Sequence, residues 1–214
     1  GGVLEQKENL AKSSMAIEYS SGLDCKWSDS GILAPLSSLN SPTVGADGLD
    51  LSTYKSIKYD SSNSYDSKKG AIRFKLTPAY SGTPAEINQW VFFESESNVG
   101  SDRIFLQHEA QGFIRVVGSS GSGSSFPAYT FGAWSPVAGQ TYEIELNWDF
   151  INGNRRLFID GVQLGGDGPL FQTMTGLLPR SSLRIGGSLG SSPAFAIKDI
   201  ILFTALKVAS RYGD

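Results

Sequence analysis

The strongest pattern in the chain is an alternation of apolar and polar residues over residues 141–148. The apolar positions are Tyr142, Ile144, Leu146 and Trp148, and the polar positions between them are Glu143, Glu145 and Asn147. A period of two is that of a β-strand, whose successive side chains point to opposite faces of a sheet. We therefore expect a strand here, with its apolar side chains in a core and its polar side chains in water.

Turn residues follow this strand at two places. Asn152-Gly153 and Asp160-Gly161 are residue pairs that adopt the positive φ angles of tight hairpin turns. A second short strand at 155–159 lies between them, and a third follows at 162–164. Residues 141–164 are thus predicted to form a β-meander, in which the Asp and Gly residues serve geometry first.

Further strands are predicted at short intervals along the chain. They lie at residues 70–78, 89–94, 102–108, 112–117, 182–186 and 195–203. The strand at 89–94 lacks clear alternation, so we expect both of its faces to be covered. The Ser- and Gly-rich segment 118–125 is interpreted as a long loop within one domain, because strong strands flank it. Short strands without a convincing long helix predict an all-β fold, a jelly-roll sandwich of two antiparallel sheets.

The same pattern divides the chain into two parts. Residues 1–20 have only a thin apolar stripe, and we interpret them as an N-terminal tail or a linker from an upstream part. Residues 21–214 are assigned to the sandwich.

Composition and charge narrow the classes of function. Charged residues make up 18% of the chain, and the net charge is −3 with a pI of about 5.2. A mildly acidic chain argues against nucleic-acid binding, which needs clustered Lys and Arg. No run of 18 apolar residues is present, so we predict no membrane insertion. Cys25 is the only cysteine and leaves no disulfide within the chain, and His108 is the only histidine, which excludes a His-rich metal site.

Several segments, taken in order, resemble one superfamily. They are KKGAIRFKLTP at 68–78, YEIELNWDFINGNRRLFIDGVQLG at 142–165, LRIGG at 183–187 and FAIKDIILF at 195–203. Their order and spacing resemble the concanavalin A-like lectins and glucanases, particularly the laminin-G-like modules, over residues 45–205. The resemblance implies a jelly-roll fold. Members bind glycans, bind proteins, cleave β-glucans or act as spacers, and such modules also occur on phage tail proteins and bacterial adhesive fibres.

An enzyme of this superfamily would carry several carboxylates on one strand face. The resemblance associates glycosidase activity with a Glu-x-Asp-x-x-Glu strand, whose acidic side chains have the separation that double displacement needs. Here Glu143, Glu145 and Asp149 share a face, but their types and spacing differ from that motif. We interpret them as solvated strand residues and predict no enzyme activity; in a glycosidase, Glu145 would be the nucleophile.

Metal binding has two candidate segments. Many relatives bind Ca²⁺ through loop oxygens, and oxygen donors cluster at 94–102 and at 47–50. Neither segment has a defined ligand spacing, so solvated loops are the preferred interpretation. No cofactor is predicted, and Ca²⁺ is the one candidate ion.

A sugar site needs an exposed aromatic ring beside hydrogen-bonding side chains, because a sugar presents an apolar C–H face and a rim of hydroxyls. The candidate rim beside the Ser/Gly loop consists of Trp134, Tyr129, Phe126, Asp102, Arg103 and His108, with Trp27 as a further candidate. Trp90 and Trp148 are assigned to the core. In the alternative interpretation, the aromatic residues after the loop re-enter the core and His108 is a structural histidine.

These residues predict non-catalytic glycan recognition. The module would form the tip of a fibre or adhesin and bind a cell-surface glycan or glycoprotein, outside the cell or on a virion surface. Several copies, as in a homotrimer, would add avidity. One alternative is a structural or protein–protein interaction module of a virion or fibre with no glycan site. A second is a glycoside hydrolase, which would need two convergent carboxylates about 5 Å apart in a cleft.

Overall fold

The protein is a two-layer β structure. The computed structural model describes residues 13–17, 25–27, 31–33, 35–52, 54–60, 69–94, 103–119, 125–149, 154–166, 182–187 and 194–203. Within these ranges the regular structure consists of β-strands, and every strand pair is antiparallel. No helix long and apolar enough to cross a membrane occurs in this part of the chain.

The strands are numbered in chain order. They are β1 (Ser13–Ile17), β2 (Cys25–Trp27), β3 (Gly31–Leu33), β4 (Ser37–Leu39), β5 (Thr43–Gly45), β6 (Gly48–Asp50), β7 (Ser56–Asp60), β8 (Lys69–Pro78), β9 (Asn88–Glu94), β10 (Arg103–His108), β11 (Phe113–Ser119), β12 (Ser125–Ala133), β13 (Tyr142–Asp149), β14 (Asn154–Ile159), β15 (Val162–Gln163), β16 (Ser182–Gly186) and β17 (Phe195–Phe203).

Two sheets contain these strands. The larger sheet has the order β15-β14-β13-β8-β17-β1-β2-β3, and the β5–β6 hairpin joins it where β6 pairs with β17. The smaller sheet has the order β12-β11-β10-β9-β16-β7-β4. The predicted all-β fold, a two-sheet antiparallel jelly-roll sandwich, is confirmed.

The predicted meander is present as β13, β14 and β15. β13 pairs with β14 along its length, and β14 pairs back with β15. Asp160 and Gly161 have φ angles of 50° and 80°, the two positive values that a tight hairpin turn needs. Tyr142, Leu146 and Trp148 are buried, as the alternation predicted.

Two connections bear on the predicted domain organisation. Residues Ser13–Ile17 lie within the segment interpreted as a tail, yet they form β1, which pairs with Ile200–Phe203 of β17. This part of the segment therefore belongs to the larger sheet. At the Ser/Gly segment, Ser119 of β11 pairs with Ser125 of β12, so the segment joins neighbouring strands of one sheet. Residues 120–124 lie outside the described ranges.

The core fills the space between the sheets. Its largest fully buried side chains include Trp90, Tyr59, Phe74, Phe93 and Phe195. They join the aliphatic side chains of β7, β8, β10, β13, β16 and β17 in one buried cluster. Burial of apolar surface on this scale is the main force that holds the two sheets together.

β9 owes its missing alternation to a bulge. Val91 pairs with Leu106 of β10, whereas Gln89 pairs with Gln107, so Trp90 is an extra residue in β9. Trp90 and Val91 are consecutive and both buried. The missing alternation in the sequence of β9 therefore reflects two things: burial of consecutive side chains and a shift in strand register.

The polar face of β13 is not in water, and this corrects the prediction made for Glu145, Asn147 and Asp149. All three side chains are buried. Glu145 lies between Arg73 of β8 and Phe158 of β14 in the strand register, and these neighbours are themselves buried. Long side chains on flanking strands thus cover the middle of this face, and the Asn147 amide donates to Glu145 Oε1 at 3.0 Å.

Candidate functional site

Trp134, the leading residue of the predicted rim, packs against the core. Its ring meets those of Trp90 and Tyr142 edge-on, with centroids 5.7 and 5.0 Å away. The ring of His108 lies 5.3 Å away. Edge-to-face contacts at these distances are favourable packing geometries for buried rings. Trp134 is half-buried, and these contacts favour the alternative interpretation, in which it re-enters the core.

His108 is a structural histidine. Its side chain is fully buried, and Nδ1 shares a hydrogen bond of 2.7 Å with the Tyr80 hydroxyl. Nε2 has no hydrogen-bond partner among the residues that the structure describes. Burial lowers the pKa of His108, against the opposing effects of the Gly112 and Trp134 backbone and of the Glu109 charge. A neutral, enclosed imidazole is not available to a ligand.

Tyr129 helps to close one edge of the sandwich. Its hydroxyl donates to the Gly166 carbonyl at 3.3 Å, and the Arg155 guanidinium carbon lies 5.3 Å from its ring centre. Burial lowers the pKa of Arg155 to about 10. Next to this contact, Gly165 approaches the Phe131 carbonyl so closely that a Cβ would lie 1.9 Å from the oxygen. Tyr129 thus joins β12 to the β14–β15 hairpin.

The predicted residues do not form one rim. Arg103 and His108 occupy opposite ends of β10, five residue steps or about 17 Å apart. Phe126 pairs with Gly118 at the Arg103 end, while Trp134 contacts His108 at the other. Trp27 belongs to β2 of the larger sheet, five strand positions or about 24 Å from β14. Asp102 lies outside the described residues.

Two acidic residues of β13, Glu145 and Asp149, are buried. Burial raises the pKa of Glu145; the Asn147 hydrogen bond opposes that rise and the Glu143 charge adds to it. Only 7% of Glu145 is exposed, so its carboxylate is largely shielded from solvent. A carboxyl with a raised pKa is here a consequence of packing.

The metal candidates differ in what the structure shows. Residues 95–102 of the first segment lie outside the described ranges. In the second, Asp50 binds the protein's own Lys55 and Ser52. Among the described residues, no group of three or more His, Cys, Asp or Glu side chains is placed to hold a metal ion.

An aromatic residue that the sequence did not single out is exposed in the loop between β6 and β7. Tyr54 is 41% exposed and has a φ of +59°. The left-handed region is costly for a bulky side chain, and such residues persist only where their surroundings hold them. The loop around Tyr54 is accordingly well anchored.

The first anchors are apolar and backbone contacts. Leu51 is fully buried, and its N–H donates to the Phe195 carbonyl at 3.1 Å. Gly186, at a φ of +99°, pairs with Ser56 at the start of β7 and lies so close to Lys55 that a Cβ would be 2.5 Å from its carbonyl oxygen. The close approach fixes the position of the Lys55 backbone beside β16.

The second set of anchors is polar. Asp50 accepts the Ser52 N–H at 2.9 Å on Oδ1 and Lys55 Nζ at 2.8 Å on Oδ2. Partial burial raises the pKa of Asp50, but the hydrogen bonds and charge of Lys55 and the hydrogen bonds of Ser52 outweigh it and lower the pKa overall. Asp50 is therefore ionised, with its two oxygens held in fixed positions.

A neighbouring loop supports Tyr54 from the side. Asn40 Nδ2 donates to the Tyr54 carbonyl at 3.1 Å. Asn40 and Ser41 also have positive φ angles, 54° and 47°. We call the set Asn40, Asp50, Ser52, Tyr54 and Lys55 the Tyr54 platform. It combines an exposed aromatic ring with a carboxylate, an amide and an ammonium group.

The Tyr54 platform lies at the same end of the sandwich as the buried aromatic cluster. Asn88 pairs with His108 and accepts the Ala194 N–H at 2.7 Å. The next residue, Phe195, accepts the Leu51 N–H that anchors the platform loop. The sequence offered one signal for this site, an isolated Tyr in a polar stretch between two short strands, but no signal for its backbone conformation.

No family model matches the chain, and no curated protein matches it. Solved structures match its fold. A botulinum neurotoxin serotype D binding domain has a TM-score of 0.69 at 10% identity, over 94% of this chain and 50% of its own. A structure of botulinum neurotoxin type C, whose cell entry depends upon interaction with two ganglioside molecules, gives 0.69 at 9% identity over the same shares. Trypanosoma rangeli sialidase gives 0.64 at 14% identity, over 96% of this chain and 35% of its own.

The chain therefore spans about half the length of the toxin structures and about a third of the sialidase. At these identities the likeness concerns the fold. It places this chain among jelly-roll-like β-sandwiches, an architecture compatible with the concanavalin A-like superfamily.

Proposed function

We propose that this protein is a non-catalytic glycan-recognition module of the laminin-G-like kind and that it binds carbohydrate through the Tyr54 platform. The observation that carries the proposal is a solvent-exposed aromatic ring held in a strained backbone conformation by the core and by two loops. Strain of this kind concentrates at ligand-binding positions.

The chemistry of the platform suits a sugar ring. The face of Tyr54 can pack against the C–H face of a pyranose. Asn40, whose amide contacts the Tyr54 backbone, and Asp50, four residues before Tyr54 in the chain, supply hydrogen-bonding groups. Because Leu51 and Lys55 already have partners, part of the ordering that binding requires is present before a ligand arrives.

The comparisons support this proposal at the level of architecture. The same sandwich occurs in botulinum neurotoxin structures, and the cell entry of botulinum neurotoxin type C depends upon interaction with two ganglioside molecules. By analogy, we place the present chain outside the cell, at the tip of a fibre or adhesin that meets a cell-surface glycan or glycoprotein. A shallow site binds one sugar weakly, so several copies, as in a homotrimer, supply the attachment strength.

The sialidase likeness raises the hydrolase alternative, and the site disfavours it. Glu145, which would serve as nucleophile, is buried beneath neighbouring side chains, while the exposed aromatic residue lies elsewhere. A retaining glycosidase needs two carboxyls about 5 Å apart in a cleft that admits substrate. The proposal is therefore one of binding without catalysis.

A glycan array tests the proposal with a matched control. The 214-residue chain is displayed on multivalent beads, with and without EDTA, beside the Tyr54→Ala and Phe113→Ala variants. Phe113 is also 41% exposed, but it lies in a strand away from the Tyr54 platform. We expect Tyr54→Ala to weaken binding about tenfold or more, as for a central aromatic contact, and Phe113→Ala to leave it unchanged.

Two results would contradict the proposal. Binding that survives Tyr54→Ala would move the site to another surface. If the wild-type chain binds no glycan on a broad array, the alternative of a structural or protein–protein interaction module is favoured.

A further inference from the structure

We infer that the Tyr54 platform selects neutral sugars and rejects sugars that carry a carboxylate, such as sialic acids. This inference rests on the proposed function and specifies the ligand class of the same site. It is carried by the charges around Tyr54 and by how much of each charged group reaches the surface.

Negative charge prevails in the segment that forms the Tyr54 platform. Residues 40–55 contain two acidic residues, Asp47 and Asp50, and one basic residue, Lys55. Asp47 is exposed in the turn that joins β5 to β6, and β6 ends at Asp50. Asp47 has a further cation beside it, because Lys198 Nζ lies 3.4 Å from the carbonyl oxygen of the preceding residue, Ala46. The charges next to Tyr54 itself are therefore those of Asp50 and its partner Lys55.

The cation next to Tyr54 is already engaged, and it is less exposed than its partner. Lys55 Nζ lies 2.8 Å from Asp50 Oδ2, and its side chain is 18% exposed, whereas the Asp50 side chain is 41% exposed. The part of this ion pair that a ligand meets is thus mainly the carboxylate. A site for a carboxylated sugar needs the reverse arrangement, with Arg or Lys presented to the ligand.

An ionised carboxylate is an acceptor and suits hydroxyl donors. The Ser52 N–H, the Ser52 hydroxyl and Lys55 Nζ occupy three of the roughly four lone-pair directions of the Asp50 carboxylate, which leaves one for a ligand. A hydroxyl group of a neutral pyranose can donate there in a charge-assisted hydrogen bond, which is stronger than a neutral one. A ligand carboxylate has no proton to donate near pH 7, so it adds repulsion without a bond.

The test compares paired glycans that differ only by a terminal sialic acid. Dissociation constants are measured for the wild-type chain and for the Asp50→Asn, Asp47→Asn and Tyr54→Ala variants. We expect the wild type to bind the neutral member at least tenfold more tightly. Asp50→Asn should weaken neutral binding about tenfold, because a charge-assisted acceptor is lost, whereas Asp47→Asn should change it less than twofold.

The outcomes separate this inference from the proposed function. A preference for the sialylated member that is lost on Tyr54→Ala would overturn the inference and leave the function intact. Neutral binding that is unaffected by Asp50→Asn would also overturn the inference. No binding to either member, or to the wider array, would overturn the proposed function and the inference with it.

Discussion

Two aromatic groups at the same end of the sandwich show what decides whether a ring meets solvent. Trp90, Trp134, Tyr142 and His108 form a closed cluster in which each ring packs against another. Tyr54 extends from a loop and is substantially exposed. Trp90, Tyr142 and His108 are buried and Trp134 is half-buried, so a Tyr occurs on both sides of this comparison. The backbone makes the difference for Tyr54, because a left-handed residue turns its side chain away from the line of its neighbours.

The largest expected effect comes from the closed cluster. Trp90→Ala removes a fully buried ring that contacts Phe74, His108 and Trp134, so we expect unfolding free energy to fall by about 3–5 kcal/mol. Urea denaturation followed by circular dichroism measures this. The matched Tyr54→Ala variant should lose about 1 kcal/mol or less. Equal losses at the two positions would show that Tyr54 is part of the core.

A second expected effect depends on pH. The pKa of His108 is lowered in the folded protein. Between the unfolded and the folded pKa, the imidazole is therefore protonated in the unfolded chain but neutral in the folded one. Stability is therefore fully present above about pH 6.5 and is lost as pH falls from there through the folded pKa, by at most about 1.4 kcal/mol per pH unit. The measurement is urea denaturation between pH 7.5 and pH 5.

The control for this effect is His108→Gln, which has no imidazole to titrate. Its overall stability will be lower because the ring contacts are lost, but the component of the pH dependence that His108 causes should disappear. A wild-type chain and a His108→Gln variant with the same slope over this interval would show that another group causes the acid sensitivity.

The smallest expected effect tests the strain at Tyr54 directly. Glycine adopts positive φ without the steric cost that alanine has, so Tyr54→Gly should be about 1 kcal/mol more stable than Tyr54→Ala. At Phe113, which lies in the regular strand β11, the order should be reversed by about 0.5–1 kcal/mol. Thermal denaturation of the four variants measures both differences. The same order at both positions would remove the argument for strain.

The sequence predicted the parts of the fold that depend on local patterns. The alternation from Tyr142 to Trp148 gave the position and the buried face of β13, and Asp160-Gly161 gave the following turn. The other face of β13 was predicted wrongly, because its burial comes from Arg73 and Phe158 on flanking strands. Polar residues along a strand show which side is apolar, but they do not show what neighbouring strands place over the opposite side.

The candidate site was harder to predict for a related reason. Trp134 was the best candidate for an exposed Trp because a Ser/Gly segment precedes it, but its contacts with Trp90 and Tyr142 join two sheets and are invisible in one segment. Tyr54 was missed because its positive φ and its backbone contact with Asn40, 14 positions away, have no local signal. Both positions depend on contacts between distant residues.

Gly186 has a consequence for how this protein can diversify. Any larger residue at the end of β16 would collide with the backbone of Lys55 and Ser56 and displace the start of β7. We therefore expect the lineage of this chain to hold position 186 constant while it exchanges the residues at 52–54. A constant glycine would then support a variable loop segment, and ligand preference could evolve without a change of fold.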